Sequence, residues 1–148
     1  MIVCKFGGSS VADAVQISKT QAIVKANPDR RIVVVSAPGK RDKEDDKITD
    51  LLDKCHNLAS NDKDITAVWD KIKNRYLQIA TVLDITSDLK EELAVIRSRL
   101  VDKCSPDYAA SRGEYLNAKL ISLYFGFAFI DSAKDIRIGE HGEILAET

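Results

Sequence analysis

Apolar residues open the chain in a short unbroken run, Ile2-Val3-Cys4, which passes through Lys5-Phe6 into Gly7-Gly8. A second run, Ile32-Val33-Val34-Val35, is β-branched and ends in Ser36-Ala37-Pro38-Gly39. Strands that are continuously apolar, rather than alternating, suit a parallel sheet covered on both faces. Between them Ser9 or Ser10 is placed to cap a helix running to about Ala26, with Ala14, Ile17 and Val24 near one face and Asn27-Pro28 closing it. Strand, helix and strand make a βαβ unit with a right-handed crossover.

From Ile48 the apolar period changes from strand to helix. Ile48, Leu52, Cys55 and Ala59 fall on one face; Ile65, Trp69, Ile72, Tyr76, Ile79 and Leu83 repeat that spacing, and Leu89, Leu93, Ile96 and Leu100 mark a further helix after a Ser87-Asp88 start. The middle of the chain is therefore expected to be a helical subdomain. Pro106 precedes a helix expected near Tyr115 to Phe125, with Leu116, Leu120 and Leu123 on a face and Gly126 as its stop. An apolar strand, Phe127 to Ile130, should follow it, and Ile136-Arg137-Ile138 and Ile144-Leu145 should pair as a small hairpin. The mixed-charge run from Lys40 to Lys47 reads as a solvated loop, with a phosphate-touching lid as the lesser reading.

Composition narrows the function classes. The 148 residues are 45% hydrophobic, enough for one core, and 23 acidic residues stand against 22 basic ones. So balanced a chain offers no broad positive field for nucleic acid and no polybasic membrane anchor. The first apolar run is too short for a secretion signal, which points to a cytoplasmic protein. Cys4, Cys55 and Cys104 are odd in number and far apart, so they read as free thiols rather than as disulfides or zinc ligands. His56 and His141 lack partners at metal-site spacing.

The chemistry concentrates in Lys5-Phe6-Gly7-Gly8-Ser9-Ser10, where a cation and two glycines stand at the carboxyl end of the first strand. Glycines let backbone N–H groups approach phosphate oxygens, a helix start adds unpaired donors, and the lysine adds a mobile full charge. Ligands gather at this edge of an open α/β sheet. The segment fits neither a Walker A loop nor a dinucleotide fingerprint, and local sequence alone leaves plain turn chemistry open.

Three ordered segments carry a resemblance. Lys5 to Asp13 resembles the opening signature of the aspartokinases, members of the amino acid kinase superfamily; Val33-Val34-Val35-Ser36-Ala37 and Ile48-Thr49-Asp50-Leu51-Leu52 resemble the strand, serine and threonine that follow; Ser111-Arg112-Gly113-Glu114-Tyr115-Leu116-Asn117-Ala118 is similar to a Ser-x-Gly-Glu helix start. The resemblance implies a three-layer αβα fold with a mostly parallel sheet. It implies ATP-dependent phosphorylation of the side-chain carboxylate of L-aspartate to 4-phospho-L-aspartate, which opens lysine, threonine and methionine biosynthesis. Lys5 is then the catalytic cation, and Lys5, Gly7, Gly8 and Ser9 surround the ATP phosphates. Ser36 and Thr49 line the aspartate pocket, and Glu114 accepts the substrate ammonium group. Mg²⁺ is implied by ATP chemistry and by no ligand cluster.

Each residue keeps a plainer reading beside that one. Ser36 suits the end of a strand, Thr49 a helix cap and Glu114 a first-turn glutamate; Asp131 is read as a turn cap ahead of a group that orients active-site loops, while Trp69 and Tyr76 suit a core. Arg112 stands where some aspartokinases carry histidine, and the charged run at 40–47 lengthens the approach to Thr49. The family's proteins continue into an ATP-binding half and ACT regulatory domains, whose motifs do not occur here. Residues 1–148 are thus expected to be the N-terminal portion of the kinase domain of a homo-oligomeric enzyme. The competing readings are another amino acid kinase, of glutamate or uridylate type, and a non-catalytic fragment that binds aspartate or a partner chain.

Overall fold

A computed structural model of the chain describes residues 1–86, 89–139 and 142–146. β1 (Ile2–Phe6) and β2 (Arg30–Val35) pair in parallel, with Val3 opposite Ile32 and Phe6 opposite Val35. α1 (Ala14–Lys25) connects them and buries Ala14, Ile17 and Val24, the face its spacing predicts. Its cap is Asp13, whose carboxylate accepts from the Gln16 N–H at 2.9 Å, and not Ser9 or Ser10. Those serines are wound into a 3₁₀ turn, Gly8–Val11, so the α-helix begins only after it.

The helical middle is as the periodicity predicts. α2 (Ile48–Ser60), α3 (Thr66–Val82) and α4 (Leu89–Val101) bury every apolar position named above. Ser87-Asp88, the expected start of α4, lies outside the described residues. α5 (Pro106–Phe125) is longer than expected, because Ser105 caps it through the Tyr108 N–H and Pro106 occupies the first turn, where its missing N–H costs nothing. Gly126 ends α5 in the left-handed conformation, φ 71°. Leu123, expected on the buried face, is half exposed.

Phe127 to Ile130 forms no strand. Its rings instead join α5: Phe127 packs edge-on to Phe125 with centroids 5.9 Å apart, and Phe129 edge-on to Tyr115 at 5.5 Å. Of the expected hairpin, the described residues show an antiparallel bridge, Ile138 with Ile144; Glu140 and His141 in its turn lie outside them. Before it, the short α6 (Ser132–Asp135) is capped by Asp131, so the turn-cap reading of that aspartate holds.

Only one face of the two-stranded sheet is covered among the described residues. Phe6, Val33 and Val35 belong to the core or pack against it, where α1 and α5 lie against β2. On the outer face Val3 is 58%, Ile32 42% and Val34 49% exposed. The α/β class with a parallel sheet and a helical middle is therefore observed, with one of the two expected helical layers present among the described residues.

Candidate functional site

Parallel pairing brings the carboxyl ends of β1 and β2 to the same edge, and with them the two polar loops that follow. They are joined by backbone bonds: Ser36 N–H donates to Phe6 O at 3.1 Å, and Gly39 N–H donates to Gly8 O at 2.9 Å. This seam depends on glycine. A Cβ added to Gly39 would stand 2.7 Å from the Gly8 carbonyl carbon, and one added to Gly8 would stand 3.1 Å from Ala37 O. The first of these distances is impossible without moving backbone.

On the first side of the seam, Lys5 is exposed and its Nζ lies beside Gly7, 3.8 Å from where a Cβ would be. No carboxylate pairs with it among the described residues. The 3₁₀ turn starts with Ser10 N–H bonded to Gly7 O at 2.9 Å, which leaves the N–H groups of Gly8 and Ser9 without an acceptor inside the turn. An exposed cation and two donors unused within the turn thus stand together at the strand end.

The second side is set by α5. Ser36 O and Ala37 N–H belong to one peptide unit, and α5 holds both of its polar groups. Asn117 Nδ2 donates to Ser36 O at 2.7 Å, and Ala37 N–H donates to Glu114 Oε1 at 3.2 Å. Gly113 permits the approach, since a Cβ there would stand 2.7 Å from Ala37 Cβ and 3.3 Å from side-chain atoms of Ile48 and Leu52. A glycine inside a helix costs about 1 kcal/mol relative to alanine, and this close packing is its structural return. Tyr76 braces the same turn, its hydroxyl donating to Gly113 O at 2.8 Å. Burial, reinforced by the Glu114 carboxylate, pushes that phenol well above its ordinary pKa, so it stays a donor.

Glu114 itself is half-buried and has no lysine or arginine partner among the described residues. It lies in the middle of α5, so the first-turn reading is corrected: a helix-dipole role belongs to the first turn, and α5 starts eight residues earlier than Glu114. Thr49 is half-buried in the first turn of α2 and does not cap it, the capping position being Lys47. Its neighbour Ile48 donates its N–H to Pro38 O at 3.3 Å, which ties the start of α2 to the Ser36 loop. The edge thus gathers Lys5 near the end of β1 with Gly7, Gly8 and Ser9 just after it, and Ser36, the start of α2 and Glu114 around the other loop.

Sequence reasoning missed Asn117 and Arg75. Asn117 is fully buried, with Oδ1 lacking a partner among the described residues, and its signal was a polar residue three positions after Glu114, next to the apolar Leu116. Arg75 is a cation inside the apolar stripe of α3, three residues after Ile72. Arg112 lies over the rings of Tyr108 and Tyr115, 4.4 and 4.6 Å from their centroids, an aromatic clamp on the exposed side of α5. No group of three or more histidine, cysteine and carboxylate side chains converges among the described residues. No described helix is long and apolar enough to cross a membrane.

Known proteins resemble this chain in sequence and fold. The curated aspartokinase 3 of Bacillus subtilis (strain 168) is 38% identical over 133 residues, 86% of this chain and 29% of the relative. Clostridium acetobutylicum aspartate kinase superposes with a TM-score of 0.94 at 39% identity, covering 97% of this chain and 33% of that one. Escherichia coli aspartokinase III, solved in complex with lysine and aspartate, superposes at 0.67 with 27% identity over 84% of this chain and 28% of that one. The chain therefore spans about a third of the length of these relatives. The sequence profile of the amino acid kinase family matches residues 1–141, and the chain belongs to that family.

Proposed function

We propose that residues 1–148 are the N-terminal portion of an aspartate kinase, the part that holds the amino acid and one side of the ATP phosphates. The complete enzyme transfers the γ-phosphoryl group of Mg·ATP to the side-chain carboxylate of L-aspartate. The observation that carries this reading is the pinned Ser36–Ala37 peptide, which sets Ser36 and Glu114 across a glycine-dependent seam from Lys5 and Gly7 to Ser9. The resemblance to aspartokinases from three bacteria supports the choice of aspartate over glutamate or a nucleotide as acceptor.

The proposed chemistry asks little of the protein in proton transfer. A carboxylate is ionised at neutral pH, so its oxygen attacks the γ-phosphorus directly while the bond to the β–γ bridging oxygen breaks and ADP leaves. Catalysis then rests on alignment and on stabilising charge on the moving phosphoryl group. Lys5 supplies a cation there, and the Gly8 and Ser9 N–H groups supply donors. Glu114 uses one oxygen on Ala37 N–H and offers the other to the substrate ammonium, a charge-assisted bond. Ser36 and Thr49 border the aspartate side. Magnesium would arrive with the nucleotide and would offset part of the phosphate charge.

The remaining nucleotide contacts, the regulatory domains, homo-oligomeric assembly and a cytoplasmic location are further parts of the proposal. It is tested by giving the complete enzyme ATP with aspartate, glutamate or uridylate. ADP release and a hydroxylamine-trapped acyl phosphate are expected with aspartate alone; turnover with either of the others, and none with aspartate, would overturn it.

A further inference from the structure

The segment 40–47 was expected to be a solvated loop, and residues 40–44 are exposed. Asp45 departs from that picture, its side chain being 10% exposed and paired with the Arg75 guanidinium, itself 5% exposed. Arg75 Nη2 donates to Asp45 Oδ1 and Oδ2 at 2.6 and 2.5 Å, while its Nη1 donates to Gly39 O at 3.1 Å and reaches Ala12 O at 3.5 Å. Arg41 joins from the loop itself, with Nε 2.9 Å from Asp45 Oδ2, Nη2 3.1 Å from Oδ1 and Nη1 3.3 Å from Gln78 Oε1. Backbone N–H of Arg41 adds a bond to the same carboxylate at 2.9 Å.

Gly39 is the junction. Its N–H is bonded to Gly8 of the phosphate-side loop and its carbonyl to Arg75, so a guanidinium fixed on α3 sets where the two loops meet. Ala12, the second acceptor, is the C-terminal cap of the 3₁₀ turn that begins at Gly8. A rigid planar fork suits this task, because it can hold two backbone carbonyls and a bidentate carboxylate at once. The Asp45 carboxyl is held far below its usual pKa range by Arg41 and also by Arg75, so the counter-charge is present throughout the neutral range. The network touches neither Lys5 nor Glu114.

We propose that Arg75 is a positioning residue for phosphoryl transfer and that the 40–47 segment is a strap whose Asp45 orients it. Arg75 fixes the distance between the phosphate-side loop and the aspartate-side loop, and so the in-line approach of carboxylate to phosphorus. This inference rests on the aspartate kinase reading. Because it concerns alignment of two bound substrates, losing Arg75 should lower turnover more than it weakens either substrate alone; a misplacement of about 1 Å can cost about 100-fold.

The test uses the complete enzyme with Arg75→Met, Arg75→Lys and Asp45→Asn. Arg75→Met should lower kcat at least about tenfold while KM for aspartate and for ATP each change less than about threefold. Arg75→Lys, which keeps the charge without the fork, should recover only part of that loss. Asp45→Asn keeps an acceptor and removes the charge; it should lose several-fold in kcat and serves if Arg75→Met does not fold. Amide exchange should quicken in residues 7–12 and 36–40 with α4 unchanged, a readout that stands even if aspartate proves not to be the acceptor. An unchanged kcat in folded Arg75→Met or Asp45→Asn, or unchanged exchange in those loops, would overturn the proposal. Absence of aspartate-dependent turnover in the unaltered enzyme would instead overturn the functional reading beneath it.

Discussion

The helical middle and the loop edge of the sheet are built on different physics. In α2, α3 and α4 the buried positions, Arg75 apart, are apolar residues at helical spacing, contributed to one continuous cluster, and hydrophobic contact of that kind is non-directional and tolerant of small shifts. At the loop edge the contacts are directional. Ser36–Ala37 is held by partners 81 and 77 residues away in sequence, and two glycines allow backbones to meet. One region supplies stability and the other supplies placement, so substitutions in the two should have opposite signatures.

The largest effect expected is on turnover. Lys5 is exposed and unpaired with any carboxylate among the described residues, so Lys5→Ala in the complete enzyme should leave the melting temperature nearly unchanged. Steady-state kinetics should show kcat reduced about 100- to 1,000-fold, the range for removing one transition-state charge donor. An unchanged kcat with only a higher KM for ATP would remove Lys5 from the chemistry.

Next in size is the opposite signature. Leu52→Ala or Ile72→Ala removes a fully buried side chain and should cost about 2–5 kcal/mol in denaturant unfolding, while the folded fraction keeps its kcat. Gly113→Ala lies where the two regions meet. Overpacking against Ala37 costs about 1–3 kcal/mol, offset by about 1 kcal/mol of helix propensity. Its distinguishing mark should be a raised KM for aspartate, since displacing α5 moves the Ser36–Ala37 peptide. A stability loss without any KM change would show that the helix yields without moving the loop.

The smallest effect concerns Cys55, fully buried on α2. Burial raises its thiol pKa to about 11, so the folded state favours the neutral thiol. Its contribution is complete below the unfolded-state value of about 8.5 and declines as pH rises toward 11. Thiol reagents should label it only at the rate of unfolding, and rapid labelling of native protein at neutral pH would contradict the burial.

How much of this was legible follows the same division. The apolar period located α2, α3 and α4 and nearly all their buried positions, because one side chain's burial depends on its helix face. It misplaced the cap of α1, since Ser9, Ser10 and Asp13 are all good capping residues and the 3₁₀ turn that selects Asp13 is a tertiary feature. Phe127 to Ile130 has strand composition, but a strand needs a hydrogen-bonding neighbour, and the described residues provide none. The site motifs were readable as a family signature, whereas the work of Asn117 and Arg75 was not: each acts on a backbone carbonyl brought near only by folding. Residues 40–47 read as solvated because charge runs usually are, and a single buried counter-charge on α3 is invisible to composition.

Glu114→Gln provides the most direct measurement of the central claim, that this edge binds the amino acid through a loop pinned by α5. Glutamine can still accept from Ala37 N–H, so loop placement, melting temperature and ATP affinity should persist, while the charge for the substrate ammonium is lost. Calorimetric titration of the complete enzyme should show aspartate binding weakened roughly 10- to 100-fold, the worth of one charge-assisted hydrogen bond at about 1.5–3 kcal/mol. Unchanged aspartate affinity, or a selective loss of ATP affinity, would contradict the account and move Glu114 out of the amino acid site.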